Sequence, residues 1–327
     1  MQHRKLGRTG LEVSILGFGC GAVGGLMVRG SDADQERAVA RAVELGINYF
    51  DTAPSYGDGV SERNLGRVLA KLRPDVFVGT KIRLRADEKA DIGRAIAAGL
   101  EASLKRLGRD HVDLFQLHNP ITANGDGETL TARMVIEQVA PAFEAARAHG
   151  KTSFFGITAI GDTEALLQVV DSRKFDTAQV SYNLLNPSAG MAVAAGFPGQ
   201  DYDNLLHRLH AGNMGAIGIR VLAGGALTGE AARHPIASLP PEPIGSGPDY
   251  DSDLFRARTM RVLIEQGHAS SLVEAAIRFA LSHPAQSTTL IGIATPEQFE
   301  VAASAAAKGP LPEAALAAIR ELQAGFR

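Results

Sequence analysis

An acid and a phenol close together on one short segment, Asp51 and Tyr56 in Phe50-Asp51-Thr52-Ala53-Pro54-Ser55-Tyr56-Gly57, are the residue types that proton transfer needs. The run Ile47 to Asp51 reads as a buried strand leaving a helix at Leu45-Gly46, and Pro54 with Gly57 keeps the chain beyond it out of a helix. Asp51 therefore falls near a strand end, with Tyr56 on the following loop. A phenol, with an ordinary pKa of about 10, does little acid–base work near neutrality unless a cation favours its phenolate. Lys81 is the candidate cation, because it closes the apolar run Val76 to Thr80 after the Arg73-Pro74 break, a second strand end. His118 stands in the same position after Val112 to Leu117, where Asn119-Pro120 stops the strand. Taken singly, a lysine after a strand is a surface residue and a lone histidine a structural one. Asp51, Tyr56, Lys81 and His118 converge only if their three strands run parallel.

The rest of the chain supplies that geometry. Strand candidates at Ser14 to Phe18, Ile47 to Asp51, Val76 to Lys81, Val112 to Leu117, Ser153 to Thr158, Thr177 to Ser181, Gly215 to Arg220 and Thr288 to Gly292 make eight, the number that closes a barrel. Between them lie amphipathic segments such as Asp34 to Glu44, Glu62 to Lys71, Asp91 to Leu107, Met134 to Ala148 and Asp162 to Val170. Repeated βα units imply parallel strands, and the loops after their C-terminal ends build the active site of such a barrel. The expected fold is an α/β (β/α)8 TIM barrel, residues 1–327 as one domain. The long Pro- and Gly-rich stretch Ala223 to Gln266, with a helical candidate at Leu254 to Glu265, reads as an active-site cover, since the same strand and helix patterns resume after it.

Composition narrows the partners. A charged fraction of 21%, balanced to a net charge of −3, offers no basic surface for nucleic acid. The single cysteine, Cys20, excludes an internal disulfide framework and any multi-cysteine metal site. No apolar signal core follows the charges of Met1 to Lys5 and no run has transmembrane length, so the expected location is the cytoplasm, without a membrane partner. His207, His210, His234, His268 and His283 lack the paired spacing of a metal site, and no metal is expected.

A competing motif is Gly19-Cys20-Gly21-Ala22-Val23-Gly24, which fits the Gly-x-Gly-x-x-Gly dinucleotide fingerprint and follows a strand candidate. That fingerprint must open a helix. Here Gly25 and Gly30 bracket the next residues and argue against a stable helical turn, so the helix is expected only after a cap at Ser31 or Asp32.

With these residues in order, the chain resembles an aldo-keto reductase nearly end to end. The opening His3 to Ser14 is similar to the family's N-terminal hairpin, and Gly150-Lys151-Thr152, Gln179-Val180-Ser181-Tyr182-Asn183 and Ile291 to Gln298 follow in the family's order. The resemblance implies that Asp51, Tyr56, Lys81 and His118 are the catalytic tetrad. Tyr56 would be general acid in carbonyl reduction and base in alcohol oxidation, Lys81 would lower its pKa, Asp51 would hold Lys81, and His118 would orient the substrate oxygen. It further implies a nicotinamide dinucleotide cofactor. Gly19, Cys20 and Gly21 would pass close to its ribose beside Asp51, Thr158 and Gln179 would bind the carboxamide, and Tyr182 would stack on the ring. Arg220, Leu222 and Gly224 would take the pyrophosphate, and Gly292 and Gln298 the adenosine end. Relatives often carry Ser-Asn where this chain has Thr158-Ala159, and Lys or Arg where it has Gly292, Ala294 and Gln298. NADP(H) is therefore the family expectation, with NAD(H) able to compete.

The words Gly156-Ile157-Thr158-Ala159 and Arg220-Val221-Leu222-Ala223 look more like bacterial aldose and pyridoxal dehydrogenases than like the longer-tailed mammalian reductases. The substrate expected is a small carbonyl compound or alcohol. The different class of function to weigh is a nucleotide-binding, redox-sensing subunit of another protein, a role some folds of this family serve.

Overall fold

Short apolar runs, each ended by Gly, Pro or a polar residue, set the strand lengths. The structure, a computed structural model, describes residues 1–326, one short of the expected 1–327 span. A hairpin of β1 (His3–Lys5) and β2 (Glu12–Ser14) precedes the barrel strands β3 (Leu16–Gly19), β4 (Tyr49–Asp51), β5 (Phe77–Ile82) and β6 (Val112–Leu117). They are followed by β7 (Thr152–Thr158), β8 (Thr177–Ser181), β9 (Gly215–Ile219) and β10 (Gln286–Gly292). The eight barrel strands close in chain order, β10 pairing with β3, and every pair is parallel. The (β/α)8 barrel is thus present, with small boundary changes. Ser14 ends the hairpin, so the first barrel strand starts at Leu16, and β9 stops at Ile219, because Arg220 takes a left-handed φ of 55°.

The hairpin covers the end of the barrel away from the strands' C-termini. Leu6 and Val13 pack there against Tyr49, Leu114 and Ile217 in a buried cluster of their own. Gly7 permits the close approach: its φ is 51°, and a Cβ there would lie 2.2 Å from the Gly215 nitrogen. Arg4 ties the hairpin down by donating to the carbonyls of Gln286 and Leu281.

The outer helices form where periodicity places them. The helix Asp32–Glu44 begins at Ser31, whose hydroxyl accepts from the Asp34 N–H, and buries Gln35, Ala38, Val39 and Ala42. The stretch expected as one helix from Met134 to Ala148 instead contains a π-turn over Val135–Val139 between helical Ala132–Met134 and Ala140–Ala148. Pro141 accounts for it, because a proline inside the helix cannot donate to the carbonyl four residues back.

Two loop expectations need correction. A single helical turn, Leu26–Arg29, does form between Gly25 and Gly30, with Gly25 at a φ of 90° and the Leu26 N–H donating to the Ile293 carbonyl. The glycine run serves close packing: a Cβ on Gly24 would come within 2.4 Å of the Ile293 nitrogen. The helix in the cover starts earlier than Leu254, at Tyr250, with Asp249 as its cap, and breaks after Thr259 before resuming over Val262–Glu265. Between the helical turns at Ala223–Thr228 and Tyr250, the cover reaches the loop after β3. There Arg29 donates to the carbonyls of Ile236 and Ala22, and the Ser238 N–H to that of Val23. Among the described residues no helix is long and apolar enough to cross a membrane.

Candidate active site

Three parallel strands deliver the tetrad to one end of the barrel. Asp51 is the last residue of β4, Lys81 lies one before the end of β5, and His118 follows β6. Tyr56 is carried by a tight loop in which its N–H donates to the Ala53 carbonyl, and Gly57, Asp58 and Gly59 all take positive φ. Parallel register explains the convergence, since Lys81 stands beside Gln116 and Asp51 beside Gly79. Side chains of larger volume do not fit at Gly79: a Cβ there would lie 2.6 Å from the Tyr49 hydroxyl.

Lys81 is the hub. Its buried ammonium is ion-paired with Asp51 Oδ1, donates to the Thr52 carbonyl at 2.9 Å, and donates to the Tyr56 hydroxyl at 3.2 Å. The second carboxylate oxygen, Asp51 Oδ2, accepts from Gln179 Nε2 at 2.8 Å, Gln116 Nε2 at 3.1 Å and the Tyr49 hydroxyl at 3.2 Å. His118 stands edge-on to the Tyr56 ring, centroids 5.8 Å apart, with Nδ1 3.4 Å from the Ser55 hydroxyl.

Electrostatics assign the protonation states. Burial pulls the Lys81 pKa down, but Asp51 and Tyr56 more than restore it, so the net shift is upward and the ammonium persists. For Tyr56 burial dominates and raises the pKa, with Lys81 opposing and Asp51 adding to it. Lys81 acts to lower this pKa, as expected, yet burial outweighs it and the resting residue is the protonated phenol. Burial, reinforced by Lys81 and Arg83, pushes His118 down to about 3, so its imidazole is neutral.

Asp51, Tyr56 and His118 line one end of a cavity of about 520 Å³, a size suited to a small-molecule or cofactor site. Of the expected cofactor residues, Gly19, Gly21, Thr158, Gln179, Arg220, Leu222, Gly224, Gly292 and Gln298 line the same cavity. The walls fit a dinucleotide. A Cβ on Gly21 would meet nothing within 4 Å, so the backbone there leaves room for a ligand, and the buried Thr158 hydroxyl has no protein partner. Gln179 donates one amide N–H to Asp51, leaving its carbonyl oxygen available to a carboxamide N–H. Arg220 adds a cation beside Gly224, where its guanidinium would be 3.0 Å from a Cβ.

Two expected contacts are not brought to the cavity. Tyr182 is buried with its ring stacked on Phe279 at 4.9 Å and edge-on to His283, and it is not among the residues that line the cavity. Cys20 is buried in the core, and burial pushes its thiol pKa up, leaving an inert side chain; its carbonyl accepts from Ser61. The cavity lining holds two arginines, Arg220 and Arg233, the latter donating to the carbonyls of Gly224 and Ser238. Gln298 Oε1 is engaged by the Ala294 N–H, while Arg37 pairs with Asp34 and Glu297, and Arg41 with Glu44 and Glu300.

Sequence reasoning missed Tyr49, Gln116 and the cover residues Ile244 and Tyr250, the last two lining the cavity. Tyr49 and Gln116 each sit two residues before a tetrad member, which on a strand is the same face, and that spacing was the available signal. Among the described residues no group of three or more His, Cys, Asp or Glu is placed to hold a metal ion.

A model of the aldo/keto reductase family matches residues 15–324. L-galactose dehydrogenase from Arabidopsis thaliana is 28% identical over 304 residues, covering 92% of this chain and 86% of its own length. A probable voltage-gated potassium channel subunit beta from Oryza sativa subsp. japonica is 35% identical over 139 residues, 40% of this chain and 42% of its own. The solved structure of aldo-keto reductase AKR11C1 from Bacillus halodurans, in its holo form, aligns with a TM-score of 0.74. That alignment covers 100% of this chain and 98% of the other at 23% identity, a likeness of fold.

Proposed function

This chain belongs to the aldo/keto reductase family, and from that premise we propose that it interconverts a carbonyl compound and its alcohol with NAD(P)(H), Tyr56 being the general acid and base. The observation that carries the reading is the Lys81 to Tyr56 hydrogen bond beside the cavity, with the same ammonium ion-paired to Asp51. A bound nicotinamide would supply or accept the hydride. In reduction the Tyr56 O–H bond breaks and its proton passes to the carbonyl oxygen as negative charge develops there. Lys81 stabilises the phenolate left behind, and the reverse transfer serves alcohol oxidation. His118, neutral, donates its free N–H to the same oxygen and fixes its position.

We read residues 1–327 as one catalytic unit acting on a small carbonyl compound or alcohol. Similarity to an L-galactose dehydrogenase supports placing aldoses among the substrates tested. NADP(H) is the cofactor expected of the family, and the scarcity of free cations near Gly292, Ala294 and Gln298 supports NAD(H) as a strong competitor.

The test follows nicotinamide absorbance with both cofactors across aldehydes, ketones, aldoses and alcohols. Turnover that disappears in Tyr56→Phe supports the reading. Tight binding of both cofactors without turnover of any compound would overturn it. That result would favour the second reading, a nucleotide-binding redox-sensing subunit, to which the partial likeness to a potassium channel subunit lends support.

A further inference from the structure

The Asp51 carboxylate has more donors than holding a lysine requires. Oδ1 is satisfied by Lys81, yet Oδ2 takes hydrogen bonds from Tyr49, Gln116 and Gln179. Gln179 also lines the cavity, so it has a second use. Tyr49 and Gln116 are buried and are not part of the cavity lining, so neither is placed to touch a ligand there.

Packing alone does not account for them. A phenol and an amide inside a barrel lose their hydration and are costly unless their polar atoms are paired, and the Gln116 carbonyl oxygen has no partner at all. Phenylalanine and methionine would fill similar volumes without that cost. What the two polar groups add is positive charge density at Oδ2. Tyr49 is a permanent donor there, since burial and Asp51 hold its pKa well above the ordinary value.

We propose that Tyr49 and Gln116 are positioning residues for proton transfer: by donating to Asp51 Oδ2 they draw the carboxylate's charge away from Tyr56 and leave the Lys81 cation to favour the phenolate. The inference rests on the reading of Tyr56 given above. The charged and titratable groups around Tyr56 are Lys81 on β5, Asp51 and Tyr49 on β4, Cys20 after β3, His118 after β6 and Arg220 after β9. Asp51 is the acid among them, and the one that opposes phenolate formation most. Removing a donor from Oδ2 makes that carboxylate more negative toward Tyr56, so the phenol gives up its proton less readily. The apparent pKa of the rate therefore moves to higher pH in both reaction directions.

The experiment compares kcat against pH in both directions for the whole protein, Tyr49→Phe and Gln116→Met, with a deuterium isotope effect on the transferred hydride confirming that chemistry limits the rate. In parallel, Tyr56 is titrated by NMR on protein labelled with 13C-tyrosine, a readout independent of turnover. Tyr49→Phe keeps the ring and loses only the hydroxyl, so it carries the test if Gln116→Met fails to fold. We expect an upward shift of about half a pH unit or more in each variant, a fraction of what one charge-assisted hydrogen bond is worth. In an Asp51→Asn background, Tyr49→Phe should add no shift to the Tyr56 titration. An unmoved profile in Tyr49→Phe, or a shift of the same size without the Asp51 charge, overturns the proposal. Undiminished turnover in Tyr56→Phe would instead bring down the functional reading beneath it.

Discussion

The Lys81 ammonium lies 3.2 Å from the Tyr56 hydroxyl oxygen, and its other donors are held by Asp51 and by the Thr52 carbonyl. All three partners come from β4 and the loop after it, so the geometry of the lysine is set by one short segment. A lysine so fixed cannot turn toward solvent, and its charge acts on the phenol continuously.

Lys81→Met removes the charge that favours the phenolate while leaving the burial that opposes it. The pKa of Tyr56 then rises, and alcohol oxidation, which needs the phenolate, becomes fast only at higher pH. A pH profile of kcat in the oxidative direction, under conditions where chemistry limits the rate, checks this. A profile that does not move would separate Tyr56 from Lys81.

His118 should contribute no inflection. Burial first, then Lys81 and Arg83, depress its pKa to about 3, so the imidazole stays neutral at any pH used for assay. His118→Gln is expected to lower kcat/KM while preserving the shape of the pH profile. A step near pH 6.5, the ordinary value, that vanishes in His118→Gln would show an imidazole that titrates, against this account.

Cofactor choice turns on the neutral lining near Gln298. Of the positions where relatives often carry Lys or Arg, Ala294 is buried while Gln298 is exposed. Gln298→Arg should therefore raise the ratio of NADPH to NADH affinity. A charge-assisted contact is worth about 1.5 to 3 kcal/mol, roughly ten- to a hundredfold in affinity, and less if the side chain stays in solvent. Fluorescence titration of both reduced cofactors measures it. A wild type preferring NADPH by several orders of magnitude would mean that another cation reaches the phosphate.

Glu274 should make stability sensitive to acid. Burial raises its pKa, but hydrogen bonds from Lys308, Ser270 and Arg278 outweigh that and bring it from 4.5 down to about 2. A carboxyl depressed on folding stabilises above its unfolded pKa, and the contribution is lost as pH falls between those two values. Glu274→Gln should cost about 2 to 3 kcal/mol near neutral pH and little near pH 2. Urea unfolding of both proteins across that range is the check, and a cost independent of pH would refute it.

Much of this was legible before folding, for identifiable reasons. Runs such as Val112 to Leu117 read as buried strands because both faces of a parallel barrel strand are covered, and polar residues at their ends stand out. The setting of Tyr182 was not readable, because a strand-end aromatic can turn to either side of the barrel wall, and its neighbours Phe279 and His283 lie far along the chain. The early start of the cover helix at Tyr250 follows from the Asp249 cap, a local signal present in the sequence and passed over. The path of the cover was not readable, since Arg29 and Val23 anchor it from the opposite end of the chain.

The central claim is that the Tyr56 hydroxyl transfers the proton. Tyr56→Phe removes that one atom from a ring whose position is set by the surrounding loop, so cofactor binding should persist. The decisive measurement is the single-turnover rate of hydride transfer in Tyr56→Phe with cofactor bound, on any carbonyl compound the wild type reduces. The account predicts a fall of roughly 10²- to 10⁴-fold with cofactor affinity nearly unchanged. A rate close to that of the wild type would contradict it.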